Sequence, residues 1–234
     1  MARLHFFVEG QTEQTFADTV LSPHLEKFDV YMSPSVLIAH AFKKHRFHRG
    51  GGRNYSAMKK DIDRRLKEDK RPDVFFTTMI DLYAIPPEFP KLSESEALRH
   101  EPDRRVAFLE AAFEEDIGDR RFIPYIQLHE FEALLFVDVN LFARFFENPV
   151  EPEIARLQDL ADKYNSPESI NDGPETAPSK RIIQELPRYE KRKTTIGPQL
   201  AEMIGLAAIR AKCLHFNSWL TRLEGLSDNN RPLE

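Results

Sequence analysis

The sequence predicts an α/β fold: a parallel sheet flanked by helices, followed by a mainly helical C-terminal portion. Three observations carry this reading. Apolar runs of strand length alternate with helical patterns as far as about residue 138, as parallel crossover topology requires. Several of those runs end directly on acidic residues, and from about Asn140 onward only helical patterns remain, separated by Pro, Gly and Asn. The expected division is therefore an α/β core over 1–138 and a helical extension over 139–234 that packs on it.

Leu4–Val8 is a short, fully apolar run bounded by Glu9-Gly10, which fits a central parallel strand better than so short a helix. Thr12 is placed to cap the next helix, whose apolar positions Phe16, Val20 and Leu21 recur at helical spacing. Pro23 predicts a kink or the start of a second short helix. Val30–Ala39 reads as a strand, and Ser33-Pro34 within it points to an edge position or a bulge. A basic, glycine-containing loop follows, and then a charged helix from Ser56 to about Lys70, stopped by Pro72.

Asp73–Ile80 is rich in β-formers and runs into Asp81. After a loop containing Pro86, Pro87 and Pro90, the spacing of Val106, Leu109, Ala112 and Phe113 predicts an amphipathic helix. Phe122–Leu128 supplies another strand, followed by His129-Glu130-Phe131-Glu132. Acids thus stand at three strand ends: Glu9 with Glu13, Asp81, and Glu130 with Glu132. Parallel strands deliver their carboxyl ends to one edge, so these side chains are expected to converge there on a hard divalent cation, Mg²⁺ or Mn²⁺.

Composition bounds the function. With 234 residues, 41% hydrophobic and 30% charged, the chain is long enough for one large domain or a core with an annex. A formal net charge of −5 argues against coating nucleic acid by bulk positive charge. The charge is uneven, however: no Asp or Glu occurs from Val30 to Lys60, a segment that carries Lys43, Lys44, Arg46, Arg49 and Arg53 beside three consecutive glycines. Those five cations are candidates for a phosphate clamp. Ser179, Lys180 and Arg181, at a predicted helix start after Pro178, form a second candidate anion site, with an ordinary serine cap as the competing explanation. Lys191, Arg192 and Lys193 extend this basic neighbourhood, and Tyr83 and Tyr189 are candidates for stacking a base.

A single cysteine excludes a disulfide framework and a cysteine-rich zinc site. No signal core or membrane-length apolar run is present, so a cytoplasmic protein without membrane association is expected. Neither His-Glu-x-x-His, nor a Gly-Lys-Ser/Thr phosphate loop, nor a serine-hydrolase elbow occurs, which removes support for zincin, P-loop ATPase and serine-hydrolase readings.

Val8-Glu9-Gly10-Gln11-Thr12-Glu13, Met79-Ile80-Asp81-Leu82-Tyr83, the run Gln127–Phe136, the run Ile170–Arg181 and the segment around Ile209–Phe216 together resemble the bacterial DUF4276 family, over nearly the whole chain. That family resembles a divergent branch of the TOPRIM fold, the metal-binding, Rossmann-like domain of topoisomerases, primases and OLD-type nucleases. On that resemblance Glu9 matches the glutamate of the first strand and Asp81 the first acid of an Asp-x-Asp motif, with Tyr83 where the second aspartate would stand. The resemblance implies an Mg²⁺-dependent nuclease acting on RNA or DNA in anti-phage defence. It also implies an ABC- or AAA-type ATPase partner encoded nearby. Glu9, Asp81 and Glu130 would be catalytic, with Glu13 and Glu132 as further metal ligands. The alternative is a non-catalytic regulatory or binding subunit of an ATPase complex that retains the fold.

Overall fold

Residues 1–38, 54–146, 150–170 and 176–228 are described by the computed structural model. The first seven-residue strand, β1 (Ala2–Val8), has neighbours on both sides and is buried along most of its length, which is why its sequence is a nearly unbroken apolar run. Helix α1 (Gln11–Phe16) follows after two residues, with Gly10 as its N-cap in extended conformation. Thr12 lies inside the first turn and makes no cap, because the chain turns into helix two residues earlier than its hydroxyl suggested.

A wide π turn (Ala17–Leu21) joins α1 to α2 (Ser22–Leu25), and a 3₁₀ turn (Glu26–Phe28) ends the run. The wide turn lies immediately ahead of Pro23, whose ring crowds the carbonyl four residues back and which has no N–H to return to it. The strand expected over Val30–Ala39 is two short strands, β2 (Val30–Met32) and β3 (Val36–Leu37), broken at Ser33-Pro34-Ser35. Both pair with β1 in parallel.

Helix α3 (Tyr55–Glu68) is capped by Asn54, whose side chain accepts from the Ala57 N–H at 3.1 Å. Strand β4 (Val74–Asp81) crosses to the other side of β1 and pairs with it in parallel over Val74–Met79. After the short α4 (Leu92–Ser95), helix α5 (Pro102–Ile117) buries Val106, Leu109, Ala112 and Phe113, the stripe its sequence spacing predicts. The last strand is split at Pro124 into β5 (Phe122–Ile123) and β6 (Ile126–Gln127), both parallel to β4. The whole sheet is parallel, in the order β2/β3, β1, β4, β5/β6.

Beyond the sheet come 3₁₀ turns at Phe131–Val137 and Val139–Arg144, then α6 (Glu151–Ala161), α7 (Pro178–Glu185), α8 (Lys193–Ile204), α9 (Leu206–Lys212) and α10 (Leu214–Glu224). Among the described residues no strand follows β6. Alternation along the strands separates two apolar layers. Phe7, Val74, Phe76 and Ile80 face α3 and α5, whereas Leu4, Phe6, Val8 and Met79 share a cluster with α1 and the C-terminal helices. Trp219 of α10 stacks on Tyr125 at 4.2 Å and donates its indole N–H to Thr77 Oγ1 at 3.0 Å, so the C-terminal helices form one of the two layers over the sheet. Among the described residues no helix is long and apolar enough to cross a membrane.

Candidate functional site

The chain leaves β1 toward β2 and β3 on one side, then crosses to β4 and continues to β5 and β6 on the other, so the connections that follow β1 and β4 lead in opposite directions. Such a switch of direction is where parallel α/β sheets leave a crevice for ligands. Glu9 follows the last residue of β1 and Asp81 is the last residue of β4. The two are joined directly: Glu9 Oε2 accepts from the Asp81 N–H at 3.1 Å.

Glu130 and Glu132 arrive from β6 through a tight reversal at His129, which takes a positive φ of 65°. That turn brings the His129 carbonyl to the Tyr83 N–H at 3.3 Å and the Phe131 N–H to Asp81 Oδ1 at 3.0 Å. The exits of β4 and β6 are thereby stitched together. Glu130 Oε2 accepts from the Ser179 N–H at 2.9 Å. The start of α7 thus receives an anion of the chain itself, consistent with the exposed amides of a helix N-terminus.

Glu13 reaches the crevice from the first turn of α1. Its carboxylate lies against Gly10, where an added Cβ would stand only 2.7 Å from Glu13 Oε2. The opposite wall is α8, which approaches α1 at Gly197: a Cβ there would meet Tyr189 Oη at 3.1 Å and Thr12 Cγ2 at 3.3 Å. At the head of α8, Lys193 Nζ lies 4.0 Å from Glu132 Oε1, and the Tyr189 hydroxyl donates to the same oxygen at 3.4 Å.

Glu9, Asp81 and Glu130 are partly exposed, while Glu13 and Glu132 are buried behind them. This crowding changes their acidity. Burial, then the charges of Glu13, Glu9, Glu132 and Glu130, push the Asp81 carboxyl well above the usual carboxylate range. Burial, with Glu132 and Glu9 adding to it, pushes Glu13 up to about 8. Burial also raises Glu132, against the opposing charge of Lys193. The Lys193 ammonium in turn holds its proton more firmly, chiefly because of Glu132. Asp81, Glu13 and Glu132 thus favour their protonated forms here unless a cation offsets the negative charge around them.

The five acids expected at strand ends therefore share one crevice despite their separation in sequence. Among the described residues no three His, Cys, Asp or Glu groups are preset at metal-ligand spacing. The donor chemistry nonetheless suits a hard divalent ion, being all carboxylate oxygen with excess negative charge. Lys43, Lys44, Arg46, Arg49 and Arg53 lie outside the described residues. Of the second anion site, the Ser179 amide is taken by Glu130, Lys180 is exposed, and Arg181 donates to the Thr176 carbonyl at 3.3 Å while lining a cavity of about 280 Å³ between α6 and α7.

The expected aromatic roles change. Tyr189 is fully buried in a T-shaped pair with Phe142, so no base can reach its face. Tyr83 stacks on His129 at 5.7 Å. Burial pulls the His129 imidazole down to about 4, leaving it neutral near pH 7. Lys193 is the functional candidate that sequence reasoning left among general basic residues. No local signal marks it, because its partner Glu132 is close only in three dimensions.

A family model described as "Domain of unknown function (DUF4276)" matches residues 8–224. No curated protein and no solved structure gives a match.

Proposed function

The chain belongs to the DUF4276 family, and from that membership and the acidic crevice we propose a TOPRIM-like, Mg²⁺-dependent nuclease that cleaves phosphodiester bonds in RNA or DNA. Its expected setting is the cytoplasm of a bacterium, as the effector of an anti-phage system governed by an ABC- or AAA-type ATPase. The observation that supports the reading is the meeting of Glu9, Glu13, Asp81, Glu130 and Glu132 at the β1/β4 crevice.

Glu9 and Asp81 would hold the cation, Glu130 would complete the shell or orient water, and Glu13 and Glu132 would be secondary ligands. Bound there, a divalent cation supplies polarisation of a phosphoryl oxygen and a more acidic water. The chain's own contribution is to fix the acids: the Phe131 N–H orients Asp81, the Asp81 N–H orients Glu9, and the Ser179 N–H orients Glu130. Lys180, Arg181 and the basic segment with Lys43, Lys44, Arg46, Arg49 and Arg53 would hold the polyanion.

The test is cleavage of single-stranded, duplex and transfer nucleic acids with and without Mg²⁺. Glu9→Gln and Asp81→Asn preserve an oxygen acceptor for the backbone N–H each side chain serves, so both variants should fold. Each is expected to lose about 100-fold or more in rate. Unchanged cleavage in both would defeat the assignment. A second reading, a regulatory or binding subunit of an ATPase complex, draws support from Tyr83, which stands where a second acid is expected and stacks on His129. Calorimetric titration with Mg²⁺ and Mn²⁺ discriminates: a lack of binding of either ion, alone and with a partner, would favour the subunit without chemistry.

A further inference from the structure

The crevice gathers five carboxylates, and Lys193 reaches it from the head of α8, with its Nζ 4.0 Å from Glu132 Oε1. The lysine side chain is 46% exposed and the Glu132 side chain 5% exposed, so the ammonium enters from the solvent side on a flexible stem. Its charge is felt beyond that one contact: Glu132, Glu130, Asp81 and Glu13 all act on it. Once the acids are ionised, one positive charge cannot offset five carboxylates. A divalent ion drawn to the same oxygens would neutralise more, and it would be repelled by an ammonium already among them.

We propose that Lys193 is a built-in counter-ion that competes with the divalent cation for the carboxylate crevice, holding the acids together without metal and setting the concentration at which metal enters. The inference rests on the metal-binding reading given above. Glu132 keeps a second anchor in the Tyr189 hydroxyl, so loss of Lys193 leaves that carboxylate in place. Position 193 opens α8 at the surface, where Met retains the apolar stem without the charge.

The experiment is calorimetric titration of the full chain with MgCl₂ and MnCl₂ at about pH 8.5, above the value of about 8 to which Glu13 is pushed and below the ordinary lysine range, run in two buffers of different ionisation enthalpy so that proton release is counted, together with thermal melts in EDTA and in Mg²⁺. Lys193→Met should bind the ions about tenfold more tightly than the unsubstituted chain. It should melt lower in EDTA and regain that loss when Mg²⁺ is added. Lys193→Arg, which keeps the charge, should retain the original affinity. Binding by the unsubstituted chain with unchanged or weaker affinity in Lys193→Met overturns the counter-ion role and leaves the metal site standing. Absence of binding in every variant overturns both.

Discussion

At Glu13, burial and like charge act in the same direction, holding on the folded chain a proton that the unfolded chain releases near 4.5 and the folded one near 8. Because the folded-state value is the higher, the stabilisation is fully present below the unfolded value and is lost as pH rises through about 8. Asp81 and Glu132 shift in the same direction. Melting temperature in EDTA should therefore fall between roughly pH 5 and 9, and Glu13→Gln, neutral throughout, should show a shallower fall. Identical slopes for the two proteins would contradict the placement of Glu13 in this crevice. Gly10 belongs to the same local argument: any side chain there must displace the Glu13 carboxylate end.

The elements around the crevice are held by side chains that serve distant backbone. Glu168, 3% exposed, accepts from the His215 N–H at 3.0 Å and the Phe216 N–H at 2.9 Å, satisfying the open amides at the start of α10. Tyr125 and Trp219, on either side of this junction, lock α10 over the sheet. Glu168→Ala should cost about 2 kcal/mol, or roughly 5 °C in Tm, while Glu168→Gln, which keeps an acceptor, should cost less. Equal melting of the Ala variant and the unsubstituted chain would mean that the cap contributes nothing. The prolines act at this scale too, dividing both outer strand positions at Pro34 and Pro124 and accompanying the wide turn before Pro23.

Across the whole molecule, one apolar cluster runs from Leu4, Phe6 and Val8 on β1 through Phe131 and Leu134 to Phe216, Trp219 and Leu220 on α10. Residues on both sides of position 138 are parts of the same layer. A fragment ending there would leave one sheet face uncovered, along with its large aromatic and aliphatic side chains. It should show no cooperative thermal transition, whereas the full chain should unfold in one. A sharp, reversible transition in the 1–138 fragment would indicate a core that is stable without the C-terminal helices.

The parallel strands, the stripe on α5, the helical C-terminal part and the acids at the strand ends are all legible along the chain. Each of these is written in local spacing: a continuous apolar run, a helical repeat, or an acid where that run stops. Local spacing flagged Ser33-Pro34 as an edge or bulge, but it did not show that Thr12 would miss the cap, that the last strand would split at Pro124, or that the Ser179 amide would face Glu130. Nor did it mark Lys193 or Gly197, whose significance comes from neighbours that α1 and α8 bring together. These features arise in the folded chain, because burial and charge depend on distance through space, which local sequence spacing does not encode.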